Sequence, residues 1–279
     1  MITALDHFVL LCPDIEQGVA DYTAIMGFGP AWRAEEDGRE SALFTTGNTA
    51  VELLAPKGEG PTADRIRSLL AQGDQFASLV YRTDQIDEAH RLMTRRGLAP
   101  DEIVEGRSAD LISGSERSWR RFRLDDSATA GVKSFVLEPS VPVESLDAEP
   151  GSVSKLDHLV IQTPNPDRAV ALYGTRLGIR FALDRTAEQW DTRFLFFRIG
   201  DLSVEVVNRL SESNDPTQAD RLWGLTWATD DIEAAHARLT ALGRNLSEIR
   251  TGRKPGTRVF TIREGTLNVP TLFIELTPR

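Results

Sequence analysis

Two hexapeptides of almost the same sequence constrain this chain more than any other feature. LDHFVL occupies residues 5–10 and LDHLVI residues 156–161. Each has the apolar pattern of a buried strand, with a histidine in its middle. His7 and His158 lie 151 residues apart, and so do Tyr22 and Tyr173 in the segments that follow. This constant offset predicts that the second half of the chain repeats the architecture of the first.

The repeat extends into a complete unit of strand, helix and three further strands. In both copies the first strand leads through a candidate N-cap, Asp14 or Asn165, into an amphipathic helix that ends at a glycine. A turn joins the next strands, and the last strand alternates in polarity and carries one acid, Glu52 or Glu205. We therefore predict a β-α-β-β-β module, module A, over residues 1–56 and its copy A′ over residues 155–210.

A second kind of module follows each copy of the first. ASLVYRTDQIDEAH at residues 77–90 matches GLTWATDDIEAAH at residues 224–236. Each of these modules again ends on a strand with one acid, Glu138 or Glu275. The patterns predict module B over residues 75–140 and B′ over residues 221–279, with a Pro- and Ser-rich linker at residues 141–154. The chain is expected to contain an N-terminal domain, residues 1–140, and a C-terminal domain, residues 155–279.

Charge and composition exclude several classes of function. The net charge is −10, from 42 acidic against 32 basic residues, which argues against a nucleic-acid-binding protein. No apolar run is long enough for a transmembrane helix, so no membrane association is expected. A single cysteine and an N-terminus without a basic signal region are typical of a cytoplasmic protein. We expect a monomer or homodimer that binds a small molecule.

Paired β-α-β-β-β modules, with LDHxVI on the first strand and an acid on the last, resemble the vicinal oxygen chelate superfamily. This superfamily contains glyoxalase I, extradiol dioxygenases, methylmalonyl-CoA epimerase and the fosfomycin- and bleomycin-resistance proteins. The resemblance implies an α+β fold in which four modules form two half-open cups of mixed sheet. It also implies a divalent metal ion in each cup, held by residues of the first and last strands.

The resemblance implies a ligand set that can be carried over position by position. The candidate metal ligands are His7, Glu52, His158, Glu205, Glu138 and Glu275, and the last two are also the candidate catalytic bases. The first-strand positions of modules B and B′ carry Ser78 and Gly224, which leaves one histidine per cup. Module A can pair with B or with B′; the second pairing exchanges Glu138 and Glu275 between the cups.

One imidazole and two carboxylates can bind Mn, Fe, Ni, Co, Zn or Mg and leave coordination positions open for a substrate. The resemblance then implies a lyase or isomerase that acts on a small oxygenated substrate through an enolate-type intermediate. Arg121, Arg253 and Arg258 are candidates for binding substrate anions, because guanidinium groups form bidentate pairs with carboxylates and phosphates.

Two alternatives to this enzyme follow from the same residues. The first is a metal-free protein that binds and sequesters a small molecule, as the bleomycin-resistance relatives do. The second, less favoured, is an extradiol-type dioxygenase, which normally needs two histidines and one carboxylate around its iron. Gly224 stands where the second histidine of the C-terminal half would have to be.

Overall fold

The computed structural model describes residues 1–140, 150–212 and 215–276, which form two eight-stranded sheets. The N-terminal sheet consists of β1 (Ile2–Leu11), β2 (Trp32–Glu36), β3 (Arg39–Thr45), β4 (Ala50–Pro56), β5 (Phe76–Thr83), β6 (Val104–Ala109), β7 (Glu116–Arg123) and β8 (Ser134–Pro139). The C-terminal sheet consists of β9 (Lys155–Gln162), β10 (Arg180–Ala187), β11 (Thr192–Ile199), β12 (Leu202–Arg209), β13 (Arg221–Ala228), β14 (Arg250–Thr251), β15 (Thr257–Ile262) and β16 (Thr271–Leu276).

The two sheets have the same strand order, which confirms the duplication. The N-terminal order is β2-β3-β4-β1-β5-β8-β7-β6, and the C-terminal order is β10-β11-β12-β9-β13-β16-β15-β14. Within each module the first strand runs parallel to the last, and the two modules of a half join through antiparallel first strands, β1 with β5 and β9 with β13. Module A therefore pairs with B, and A′ with B′. The predicted α+β class with four β-α-β-β-β modules is confirmed.

Helices connect the strands at the predicted places. They are α1 (Ile15–Met26), α2 (Pro61–Ala71), α3 (Ile86–Arg95), α4 (Pro166–Ala169, continued by π-helical turns over Val170–Arg176) and α5 (Ile232–Ala241). The Asp14 carboxylate accepts a hydrogen bond from the Gln17 backbone N–H at 2.8 Å, as an N-cap does. Gly27, at φ +86°, ends α1 in the left-handed conformation that glycine adopts without strain. No helix in these ranges is long and apolar enough to cross a membrane.

The two halves pack together through the sheet faces that lie opposite their cups. Phe8 alternates with His7 on β1, and its ring centroid lies 6.0 Å from that of Trp227 on β13. The Asn48 side chain donates to Leu156 O at 2.8 Å and accepts from Leu156 N at 3.0 Å, which joins a turn of the first half to β9. Both halves therefore contribute to one continuous apolar core.

The segment between the halves is described only at its end. Residues 141–149, most of the predicted linker, lie outside the described residues. Val153 is buried, and its backbone N–H donates to Met26 O at 2.8 Å. The end of the predicted linker is therefore part of the packed structure between the halves.

Candidate functional site

A histidine and a glutamate lie side by side on the concave face of the N-terminal sheet. His7 is on β1, and Glu52 is on the parallel strand β4, where it pairs with Val9. Because side chains alternate between the two faces of a strand, His7, Val9 and Glu52 share one face. The His7 Nε2 atom lies 3.6 Å from Glu52 Oε2, and both side chains are largely buried. The structure therefore brings together these two predicted site residues.

The C-terminal cup contains the same pair in a tighter arrangement. His158 Nε2 lies 3.4 Å from Glu205 Oε2 and 2.9 Å from the hydroxyl oxygen of Thr226 on β13. Burial raises the pKa of Glu205 above its usual value. Although burial alone would lower the pKa of His158, the hydrogen bond with Asp157 and the charge of Glu205 raise it. Both groups therefore hold a proton more readily than they would in water.

An aspartate precedes each histidine and orients its ring. Asp6 accepts a hydrogen bond from His7 Nδ1 at 2.7 Å, and Asp157 accepts one from His158 Nδ1 at 2.8 Å. A register irregularity between Leu5 and His7 turns Asp6 toward the histidine, where a regular strand would point it to the opposite face. Burial alone would raise the pKa of both aspartates, but the histidine contacts lower it, so both are carboxylates.

These two aspartates were not among the residues predicted from the sequence. The repeat itself could have identified them, because both copies of LDHxV contain the aspartate. A carboxylate on Nδ1 fixes the tautomer, so a neutral ring presents the lone pair of Nε2 to the glutamate. In each cup an aspartate, a histidine and a glutamate thus lie in a row, in which the ring contacts the aspartate through Nδ1 and faces the glutamate through Nε2.

Strand register identifies which residues take the equivalent places in module B. In module A the glutamate pairs with Val9, two residues after His7. In module B the residue two after Ser78 is Val80, and it pairs with Phe135 on β8. Phe135 is therefore the counterpart of Glu52. In module B′ the residue two after Gly224 is Thr226, and it pairs with Leu272 on β16. Leu272 is therefore the counterpart of Glu205.

The predicted roles of Glu138 and Glu275 as metal ligands and catalytic bases must therefore be corrected. Each lies three residues beyond the last-strand cup position, and an odd displacement places a side chain on the other face of a strand. Glu138 accepts a hydrogen bond from the Ile86 backbone N–H at 3.2 Å, and Glu275 accepts one from the Ile232 N–H at 3.1 Å. Both carboxylates thus bind the N-terminus of a helix, α3 or α5, where its dipole favours negative charge.

An arginine pairs with each of these two glutamates and with an acid of the adjoining helix. Arg258 donates from Nε to Glu275 at 2.8 Å and also pairs with Glu233 of α5. Arg120 makes the equivalent contacts in the first half, with Asp87 at 2.9 Å and with Glu138 at 3.7 Å. The predicted substrate-binding role of Arg258 is therefore corrected, because its guanidinium group lies on the helix side of the sheet.

Among the described residues, neither cup presents the three protein ligands of a zinc-like site. Because an aspartate holds Nδ1, each cup offers one imidazole nitrogen and one carboxylate toward a common point. Catalytic sites for zinc-like ions normally have three protein ligands. Phe135 and Leu272 cannot donate at all, and Gly224 has no side chain. The predicted sets of one histidine and two glutamates are therefore reduced to two ligands per cup.

Ligand atoms cluster at one other place in the described structure, and that cluster is not a metal site either. Within residues 1–140, 150–212 and 215–276, the only three such atoms that lie within 4.8 Å of one another belong to Asp231, Glu233 and Glu275. Arg258 already pairs with two of these acids, so the cluster is a structural ion-pair network. It lies at the start of α5, outside the cup.

The N-terminal cup contains a cavity of about 330 Å³. His7 and Glu52 line it together with Arg117, Trp119 and Arg121 of β7. Its outer strands approach each other, since Trp32 on β2 donates to the Ser108 hydroxyl on β6 at 3.1 Å. A larger cavity of about 610 Å³ lies between the halves along residues 262–270 and contains neither histidine. The cavity beside His7 is the better candidate because the row of Asp6, His7 and Glu52 lines it.

The other two predicted substrate-binding arginines lie close to the two cups. Arg121 lines the N-terminal cavity, with its guanidinium carbon 5.3 Å from the centre of the Phe135 ring. Arg253 lies in the loop before β15, with its guanidinium carbon 4.7 Å from the centre of a Trp190 ring. Its charge acts on Glu205, whose pKa it lowers against the larger effect of burial. Their role in binding a substrate stays a prediction.

Comparison with known structures supports the fold at low sequence identity. A triple mutant of 4-hydroxymandelate synthase from Streptomyces coelicolor is 12% identical, with a TM-score of 0.69 over 98% of this chain and 92% of that one. A hypothetical protein from Staphylococcus aureus is 8% identical, with a TM-score of 0.67 over 98% and 99%. A xylose isomerase-like TIM barrel/4-hydroxyphenylpyruvate dioxygenase fusion protein is 13% identical, with a TM-score of 0.65 over 100% and 50%. These likenesses show the fold alone.

Sequence comparison identifies the family. No curated protein matches the chain. Residues 5–151 match the family described as glyoxalase-like domain, which covers more than half of the chain. Residues 157–261 match the Glyoxalase/Bleomycin resistance protein/Dioxygenase superfamily. The chain therefore belongs to the glyoxalase-like family of the vicinal oxygen chelate superfamily, as the repeated LDHxV modules predict.

Proposed function

We propose that this protein binds a small molecule without a tightly bound metal ion. The observation that carries this proposal is the strand register, which puts Phe135 and Leu272 where a last-strand ligand would have to be. With one imidazole nitrogen and one carboxylate per cup, a ligand must be held by the cup's own side chains. Of the functions predicted from the sequence, this is the metal-free binding protein.

The N-terminal cup is the proposed binding site. Its cavity of about 330 Å³ is at the lower end of the range for small-molecule sites. Its lining includes the apolar and aromatic side chains of Leu43, Trp119 and Phe135, but its charged groups, among them Arg117 and Arg121, make it more polar than such sites usually are. His7, held by Asp6, and Glu52 would supply two polar contacts of fixed direction, from the imidazole Nε2 and from the carboxylate.

Metal content tests this proposal. Protein purified without added metal is analysed for transition metals and magnesium, and its thermal unfolding is followed with added Mn(II), Ni(II), Zn(II) and Fe(II). We expect substoichiometric metal and the same small shifts in wild type, His7→Ala and His158→Ala. A full equivalent of metal that is lost with the matching histidine would contradict the proposal.

A second candidate function is proton transfer in the C-terminal cup, which would make the protein a lyase or isomerase that needs no metal. The observation that favours it is the buried Glu205, whose pKa is raised and whose carboxylate lies 3.4 Å from His158 Nε2. A carboxyl group with a raised pKa can remove and return a proton next to a carbonyl group. Arg253, at the same cup, offers a positive charge for an oxyanion.

Hydrogen exchange tests this second function. A panel of small 2-oxo acids is incubated with the protein in D₂O, and deuterium next to the carbonyl group is followed by NMR. Proton-transfer catalysis predicts exchange that is lost in Glu205→Gln and retained in Glu52→Gln, the matching change in the other cup. Exchange that is the same with and without protein would leave binding as the function of this cup as well.

A further inference from the structure

Three side chains of β7 form a stripe along the wall of the N-terminal cavity. Arg117, Trp119 and Arg121 alternate along this strand, so all three face the cup, and all three line the cavity. Arg120 lies between them on the other face and pairs with Asp87. The stripe therefore presents a positive group on each side of one aromatic ring.

Arg121 forms no ion pair with any residue that the structure describes. In the ranges that the structure describes, its guanidinium group makes no hydrogen bond or ion pair, and its one ring contact is Phe135 at 5.3 Å. The nearby Arg39 is itself paired with Glu36. Burial and the charge of Arg39 lower the pKa of Arg121, against smaller opposing effects of the Glu52 and Glu36 carboxylates at longer range. A partly buried charge without a partner is unfavourable, so a bound anion would relieve it.

Arg117 also lacks an ion-pair partner among the described residues. Its guanidinium carbon lies 5.0 Å from the centre of the Trp32 ring and 5.3 Å from that of Trp119. Its Nε atom is buried and has no hydrogen-bond acceptor among the described residues, and the same holds for Trp119 Nε1. The aromatic rings stabilise the cation but accept none of its hydrogen bonds. Donors therefore remain available on both sides of Trp119.

The acids of this cup are already engaged elsewhere. Asp6 accepts from His7 Nδ1 at 2.7 Å, Glu52 faces His7 Nε2 at 3.6 Å, and Glu36 pairs with Arg39. No carboxylate in the described parts of the chain lies within ion-pair distance of Arg117 or Arg121. Among the described residues, no acid forms an ion pair with this wall, so a bound anion could pair with it directly.

The stripe is not a remnant of the duplication. Glu138 and Glu275 are equivalent, and counting from them the residues of β15 in the places of Trp119 and Arg121 are Thr257 and Val259. The C-terminal cup therefore lacks both the ring and the cation at these positions. Because Trp119 and Arg121 occur in only one of the two duplicated cups, we connect them with the ligand of the N-terminal cup.

We propose that the ligand of the N-terminal cup is a small organic anion with a flat apolar body. Its negative group pairs with Arg121, within reach of Arg117, and its body lies against Trp119 and Phe135. This inference rests on the proposed function, since it names the class of molecule that the cup binds. It distinguishes the two cups, because the C-terminal cup has Thr257 and Val259 at the positions of Trp119 and Arg121.

Two probes of the same shape and different charge test the proposal. 2-Naphthoate carries a carboxylate, and 2-naphthamide replaces it with a neutral amide. Both are titrated into the protein in the presence of EDTA and followed by calorimetry. The variants are Arg121→Gln, Arg121→Lys and Arg120→Gln, the last being the matched control on the other face of the same strand. Circular dichroism establishes that each variant is folded.

The expected result is a charge preference that depends on Arg121. We expect 2-naphthoate to bind wild type about tenfold to a hundredfold more tightly than 2-naphthamide, the ratio for one charged hydrogen-bonded contact. Arg121→Gln should abolish this ratio, Arg121→Lys should retain part of it, and Arg120→Gln should leave it unchanged. Inorganic phosphate should compete only weakly with 2-naphthoate, because it lacks the apolar body.

The two probes give different results if the cup binds no anion and if the cup needs a metal ion. Equal binding of both probes, unaffected by Arg121→Gln, overturns the anion proposal and leaves metal-free binding in place. Binding of 2-naphthoate that appears only when Mn(II) replaces EDTA contradicts metal-free binding. Binding of neither probe at millimolar concentration, with or without metal, overturns the anion proposal.

Discussion

Replacing Glu275 with glutamine should destabilise the fold and leave the cups unchanged. The Glu275 carboxylate is buried, with 8% of the residue exposed; it accepts from the Ile232 N–H at 3.1 Å and from Arg258 Nε at 2.8 Å. Glutamine keeps the volume and one acceptor oxygen but removes the charge that the arginine and the helix N-terminus favour. Glu138 provides an internal comparison, because it binds Ile86 in the same way in the other half.

The burial of the two carboxylates sets the expected magnitudes. A hydrogen bond to a buried charged group contributes about 1.5–3 kcal/mol, so we expect Glu275→Gln to lower the free energy of unfolding by about 2 kcal/mol. The Glu138 side chain is 27% exposed and lies 3.7 Å from Arg120. Solvent screens such a pair, and Glu138→Gln should cost about 0.5 kcal/mol.

Urea unfolding followed by far-UV circular dichroism measures both changes against wild type. The affinity for 2-naphthoate is measured on the same preparations and should not change in either variant. Two results would refute the reasoning. One is a Glu275→Gln variant as stable as wild type. The other is a variant of either glutamate that unfolds normally but loses the ligand, which would return that residue to the site.

Two further predictions concern the row in the C-terminal cup and the contact between the halves. The pKa of His158 is raised in the folded protein, so its contribution to stability is complete below the ordinary value of 6.5 and is lost as the pH rises through the raised value. The difference in unfolding free energy between wild type and His158→Asn should therefore shrink as the pH rises above that value; a difference independent of pH would contradict the assigned contacts. Asn48→Ala removes both hydrogen bonds to Leu156 and should lower the unfolding free energy by about 1–3 kcal/mol in urea titrations, whereas an unchanged midpoint would show that the core alone joins the halves.

The architecture could be predicted from the sequence because the two copies of the repeat can be aligned with each other, element by element. The 151-residue offset between the two LDHxV segments aligned the first strand and the first helix of the halves, and the later elements were matched by their own repeated patterns. The helix caps at Asp14 and Asn165 lie where the pattern places them. The family followed from the same repeat. What the repeat left open was which modules share a sheet, since pairing of A with B or with B′ gives cups of the same composition.

The site was predicted less well, because the face of a strand depends on its partners. Glu138 and Glu275 alternate with apolar residues on strands that are buried on both sides, so periodicity could not tell the cup from the helix side. Their recurrence in both halves reflects a repeated helix contact, which a duplication preserves as faithfully as a metal ligand. Asp6 was overlooked for a related reason, since a regular strand would have directed it away from His7.

The count of metal ligands is the central claim, and adding one ligand tests it most directly. Phe135 faces the cup at the place equivalent to Glu52, so Phe135→Glu would supply the missing carboxylate beside His7. Wild type and Phe135→Glu are titrated with Mn(II) and Zn(II) by calorimetry, with His7→Ala added to the variant as a control. We predict no saturable binding in wild type and one equivalent in Phe135→Glu that requires His7. Tight stoichiometric binding by wild type, lost in His7→Ala, would contradict the account.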